Sequence, residues 1–194
     1  MINAKKLTLQ FLKIDLENLE LIEDKGEFRH VLFENRAGVT RYKLPDITYE
    51  SVLNCLPEAF QSFVFCINYS MVQSAVPHFH TYDTSVVNYY INTDDYETVF
   101  YETSNKSIDV EEFVEFPKEG LIQVVDISSV NPIEKFIAKS GDAYVLNSRA
   151  IHSVSQLENN LPGYDRYRPV KEESRSVIQI WTKCPFNLAC RLLP

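Results

Sequence analysis

From residue 62 to residue 182 the chain reads as one short strand after another. The runs 62–69, 85–92, 98–103, 121–127, 143–146, 151–155 and 176–182 are rich in β-branched and aromatic residues, with turn-like stretches such as Asn92-Thr93-Asp94-Asp95 between them. Short strands at this spacing predict a sandwich or barrel. The 12 Phe and 11 Tyr push the same way, because aromatic side chains favour a pleated surface. Ahead of this region the pattern is mixed. Residues 7–22 fit strand or helix, and 29–34 fit a strand. Pro45-Asp46, followed by Ile47, Val52, Leu53 and Leu56, predicts a short amphipathic helix ending near Pro57. Residues 157–173, with two Asn, two Pro, a Gly and mixed charges, predict a long exposed loop.

A length of 194 residues suits one domain with a full core. We divide it into flanking strands and a helix over 1–60 and a β core over 61–183. The net charge of −8 repels phosphate backbones, so a nucleic-acid partner is not expected. Cys55, Cys66, Cys184 and Cys190 form no Cys-x-x-Cys pair and no zinc-ribbon spacing. Cys66, in Phe-Val-Phe-Cys-Ile, reads as a buried free thiol, which fits a reducing cytosol. No apolar run follows the first lysines, and none approaches the roughly 18 residues of a membrane span. A cytoplasmic protein with no membrane partner is the expectation. The sequence leaves its oligomeric state open.

Of four histidines, three fall in two strand-like segments. His78 and His80 stand in Pro-His-Phe-His. Residues two apart on a strand share a face, so both imidazoles reach one side while Phe79 faces the other. His152, in Ala-Ile-His-Ser-Val, comes 74 residues after His78 on a strand of its own. A mononuclear site wants about three protein ligands plus open positions, and a distant third histidine closes such a site. His30 has no companion and reads as an ordinary surface or core group.

The surroundings carry a family likeness. The segment Gly141-Asp142-Ala-Tyr-Val-Leu-Asn147-Ser-Arg149-Ala-Ile-His152 resembles the second motif of the cupins, with Asn147 and Arg149 in place of the usual Pro and Gly. The stretch from His78 to Trp181 is similar to the iron(II)/2-oxoglutarate oxygenases, in particular their small phage and marine-microbial members. The parts occur in the family's order: His78-Phe-His80, Asn88, Thr98-Val-Phe-Tyr101, Gly141-Asp142, His152-Ser-Val and Arg175-Ser-Val-Ile. This resemblance implies a mainly β fold with a few flanking helices, a double-stranded β-helix (a cupin-like jelly roll). It implies Fe(II) on His78, His80 and His152. It implies 2-oxoglutarate held by Arg175, with polar contacts from Asn88 and Tyr101, and oxygenation of a small molecule or a protein side chain.

One position departs from the family. The carboxylate of its His-x-Asp pair is replaced here by His80. Asp83, three residues on, is the alternative ligand. Histidines alone hold iron in some cupin-type dioxygenases. A three-histidine metalloenzyme without 2-oxoglutarate is therefore the second expectation, and a non-catalytic β-helix binding module the third.

Overall fold

The computed structural model describes residues 2–9, 22–23, 39–72, 75–81, 84–93, 96–103, 110–111, 122–125, 127–156 and 175–194. The sequence expectations for 29–34 and for the loop 157–173, and the candidates His30 and Asp83, lie outside these residues.

In chain order the strands are β1 (Ala4–Leu7), β2 (Ile22–Glu23), β3 (Val39–Lys43), β4 (Val64–Val72), β5 (Ala75–His80), β6 (Ser85–Asn92), β7 (Tyr96–Thr103), β8 (Val110–Glu111), β9 (Ile122–Val125), β10 (Val130–Ile137), β11 (Ala143–Leu146), β12 (Ile151–Gln156) and β13 (Arg175–Thr182). Among the described residues three helices, α1 (Asp46–Asn54), α2 (Glu58–Gln61) and α3 (Phe186–Leu192), flank them. All strand pairs are antiparallel. They form two sheets, a first ordered β1-β11-β6-β13-β4-β3-β2 and a second ordered β10-β7-β12-β5-β9-β8. From β4 to β7, and again from β10 to β13, successive strands mostly cross between the sheets. The chain is therefore mainly β, two antiparallel sheets with flanking helices, as a jelly roll requires.

Each helix opens immediately after a proline: Pro45, Pro57 and Pro185. The fixed φ of proline suits a helix start, where its missing N–H is not needed. The Pro45 carbonyl accepts from the Thr48 and Tyr49 amides at 2.9 Å each, which begins α1. At the other extreme of the chain, Lys5 Nζ donates to the carbonyls of Cys190 and Leu193, 2.8 Å each. A cation there satisfies orphan carbonyls and complements the helix dipole.

The first sheet uses its two faces differently. Val87, Ala143, Val145, Ile67, Ile178 and Ile180 point to the helix side, where they pack with Val52, Leu56, Phe60, Ala189 and Leu193. This is the largest apolar cluster among the described residues. Each fully buried Ile or Phe there stabilises by about 1.5–3 kcal/mol. The alternate residues Asn88, Tyr90, Ser70, Arg175 and Gln179 point to the space between the sheets.

Strand β10 was not legible in the sequence, since Pro132 and the charges Glu134 and Lys135 hide it. The structure places it at a sheet edge, with a register shift between Pro132 and Glu134, where a proline does no damage. Cys66, read as buried, is only half-buried, because it falls on the inter-sheet face of β4. The Gly141-Asp142 turn is present, with Gly141 at φ +89°. Its amide donates to the Tyr90 carbonyl at 2.7 Å, and the Asp142 carbonyl accepts from the Tyr90 amide at 2.9 Å, locking β11 to β6.

Two outcomes follow from these contacts. Lys5→Met should destabilise the protein by about 1 kcal/mol in urea unfolding, the scale of a charged cap that remains partly wet. Burial works against the Asp142 carboxylate, but hydrogen bonds from Lys6 and the Lys139 amide outweigh it and lower its pKa. A lowered folded-state pKa gives stability that is present above the ordinary carboxylate range and lost as pH falls through the folded value. The stability difference between the wild type and Asp142→Ala should therefore narrow on acidification below about pH 4.

Candidate metal centre

His78 and His80 end β5, and His152 begins β12. The two strands are neighbours, and His152 is the direct cross-strand partner of His78. Register thus makes nearest neighbours of residues far apart in sequence. One ring nitrogen from each of the three histidines lies within 4.8 Å of the other two. The ring centroids are 5.2 Å apart for His78–His80, 4.3 Å for His78–His152 and 5.3 Å for His80–His152. All three side chains are buried. Phe79 turns away, as alternation demands, and packs against Val125, Val130 and Ile151.

The tight turn between β11 and β12 engages two of the histidines, one through its ring and one through its backbone. His152 Nδ1 lies 2.9 Å from the Ala150 carbonyl. A carbonyl only accepts, so Nδ1 carries the proton and Nε2 is the unprotonated nitrogen, the arrangement of a metal-ligating imidazole. The His80 amide donates to the Ser148 carbonyl at 2.9 Å. The turn is in turn held by the N-terminal segment. The Asn147 amide donates to the Asn3 carbonyl at 2.8 Å, and Asn147 Nδ2 donates to Asn3 Oδ1 at 3.1 Å. Trp181 stacks on His80 with centroids 5.2 Å apart and planes at 18°, and Phe100 lies 5.7 Å from His152.

Three imidazole nitrogens that converge and are buried together offer one ion a complete set of protein donors. Imidazole is also a good ligand for iron, zinc, copper and nickel. The donor set therefore fits a divalent metal ion. Among the described residues this group contains no carboxylate.

Arg175 lies on the same inter-sheet face. It is 3% exposed, and its Nη1 donates to Thr98 Oγ1 across the gap at 3.4 Å. Its guanidinium carbon lies 5.1 Å from the Tyr90 ring centroid. Among the described residues Nε has no partner. Burial pushes the Arg175 pKa down from its ordinary value, against a pull upward from Tyr90 and Tyr96. Thr98 is paired with Val154 and Phe100 with His152. Arg175 thus reaches β7 two residues from the level of His152, about 7 Å along the strand.

Asn88 also faces this space. It is buried, with Oδ1 accepting from Gln179 Nε2 at 3.3 Å. Tyr101 does not join it. Strand alternation puts Phe100 toward the histidines and Tyr101 on the opposite face of the second sheet, packed with Val125, Val130 and Ile151. The Tyr101 hydroxyl pairs with Ser153 Oγ at 2.8 Å, and burial raises its pKa. Its proposed contact with a cosubstrate is therefore corrected: the motif Thr98-Val-Phe-Tyr101 reaches the site through Thr98 and Phe100. Arg149 is exposed on the turn. Trp181 and Gln179 were given no role from sequence, and Thr98 entered only as part of its motif. Gln179, a lone amide inside an apolar strand, was the available signal.

No protein-family model matches the chain, and no curated protein shows significant similarity to it.

His152→Ala should lose the metal and keep the fold, because it removes a donor from between the sheets and leaves the helix-side core untouched. Metal analysis and circular dichroism of the purified variant check both halves. Metal retained at wild-type stoichiometry would sink the assignment.

Proposed function

We propose that the protein is a non-haem iron(II)/2-oxoglutarate-dependent oxygenase acting on a small molecule or a protein side chain. The observation that carries this reading is the placement of Arg175. A guanidinium at 3% exposure, with Nε unpartnered and no ion pair to a carboxylate among the described residues, is a buried charge met only by the Thr98 hydroxyl and the Tyr90 ring. Such a group costs several kcal/mol to keep unless an anion binds it. Its planar fork suits a carboxylate held through two hydrogen bonds. The separation of about 7 Å between the Arg175 and His152 levels suits a short diacid with one end at each.

His78, His80 and His152 would hold the iron, and bound iron would supply the activation of dioxygen. Three neutral imidazoles leave the dipositive charge of such an ion uncompensated. A dianionic 2-oxo acid would balance it, taking over the part a ligating carboxylate usually plays. Arg175 binds and orients the far carboxylate, assisted by the Thr98 hydroxyl. Trp181 and Phe100 shield the rings of His80 and His152 and keep bulk water from that side.

His80, standing where a carboxylate is usual, favours one rival: a three-histidine cupin-type enzyme without 2-oxoglutarate. Anaerobic calorimetry of the iron form with 2-oxoglutarate separates the two. We expect binding in the wild type and a loss of about 2–5 kcal/mol in Arg175→Ala, the usual cost of removing one partner of a buried charge pair. Arg175→Lys, which keeps the charge but not the fork, should fall between. His80→Asp should raise uncoupled 2-oxoglutarate decarboxylation. Absence of binding at millimolar 2-oxoglutarate in the wild type would reject the oxygenase reading and leave the rival.

A further inference from the structure

Opposite the histidines, the first sheet carries a row of side-chain amides. Gln179 on β13 is the direct cross-strand partner of Asn88 on β6 and of Asn68 on β4. The three amides thus occupy one rung across three adjacent strands, all on the inter-sheet face. The next same-face position on β13 toward the histidines is Trp181, which stacks on His80. In the other direction come Val177 and then Arg175. The rung therefore lines the space beside both the metal ligands and the buried guanidinium.

The hydrogen bonds of the rung are incomplete in a specific way. Ser70 Oγ lies 2.8 Å from Gln179 Oε1 and 3.0 Å from Asn68 Oδ1. With the amides in this orientation the one hydroxyl proton serves only one of these oxygens at a time, and the other lacks a donor. Donors are in surplus. Each primary amide has two N–H groups. Gln179 uses one on Asn88 Oδ1, Asn88 makes only a 3.5 Å contact to the Tyr90 hydroxyl, and Asn68 only a 3.9 Å contact to Cys66 Sγ. Among the described residues the remaining N–H groups have no partner. Asn88 is buried, whereas Gln179 and Asn68 are half-buried, so the rung runs from the interior toward solvent. It carries no charge.

We infer that the Asn88–Gln179–Asn68 rung is the recognition wall for the substrate, and that the substrate is neutral and presents an amide-type edge, a carbonyl oxygen beside an N–H. The carbonyl takes the surplus amide donors. The N–H satisfies the amide oxygen that Ser70 cannot serve. A carboxylate would fill the first need and not the second, and an ammonium the reverse. A neutral wall also leaves anions to Arg175, so substrate and cosubstrate do not compete for one group. This assignment rests on the oxygenase reading only in calling the ligand a substrate.

The test uses two neutral probes of one shape, benzamide and acetophenone, which differ by an amide NH2 in place of a methyl. Their affinities for the full chain loaded with zinc are measured by ligand-observed NMR. Benzamide should bind about 3–10-fold tighter, the worth of one net hydrogen bond. Gln179→Leu should equalise the two probes. If that variant fails to fold by circular dichroism, Asn68→Ala, at the half-buried end of the rung, should reduce the difference instead. Equal affinities in the wild type, no binding of either probe, or a difference unchanged in the folded variants would overturn the inference. A 2-oxoglutarate titration of the wild-type iron form reports separately on the oxygenase reading. Benzamide preference without 2-oxoglutarate binding would keep the wall and reject the oxygenase.

Discussion

A β-strand sends its side chains alternately to two faces, and the first sheet assigns those faces to different environments. Its helix-side face, with Val87, Val145, Ile178 and Ile180, is closed by Val52, Phe60 and Leu193 into an apolar layer. Its other face carries Asn88, Tyr90, Ser70, Gln179 and Arg175. That second set would be untenable in an ordinary sandwich core, where buried polar groups need partners and an unpaired guanidinium costs several kcal/mol. The helix-side layer offsets that cost. Everything proposed for the site depends on this division, because it leaves polar groups between the sheets beside the apolar contacts of Val86, Phe100 and Leu146.

Within that space the histidines are placed by register, and one turn engages two of them. The carbonyls of Ser148 and Ala150 engage His80 and His152, and Asn3 holds the turn through Asn147. The first residues of the chain thus act on the site through two layers of hydrogen bonds. Lys5, on the same short strand, ties the carboxyl end of α3 to the opposite side of the sheet. A strand of four residues therefore couples the helix-side core to the candidate metal centre.

Much of this was legible in the residues. Strands β6 and β11 fall where β-branched and aromatic runs put them, and α1 where Pro45 and the apolar spacing put it. His-x-His on a strand fixes a shared face by period alone, so the convergence of His78 and His80 needs no tertiary information. His152 was read from its own strand-like segment, whereas Arg175 entered only through the order of motifs along the chain. What escaped did so for physical reasons. Strand β10 is an edge strand, free to carry Pro132 and charges that a central strand would exclude. Tyr101 was misplaced by one residue because a motif does not state which of its members faces inward. The amide rung was invisible because it is made by register between β6, β13 and β4, and a single sequence says nothing about which rungs meet.

The separation of the apolar layer from the polar space has a consequence for how such a chain can change. The largest apolar layer and the residues proposed to meet a ligand sit on opposite faces of the same strands, one position apart. Substitution at Asn68, Gln179 or Asn88 alters what the interior recognises while the packing of Ile67, Ile178 and Val87 stays as it was. Robustness and divergence are thus interleaved along each strand with period two. A lineage built on this sheet can exchange one ligand for another by changing every second residue, with no need to rebuild the layer that keeps it folded.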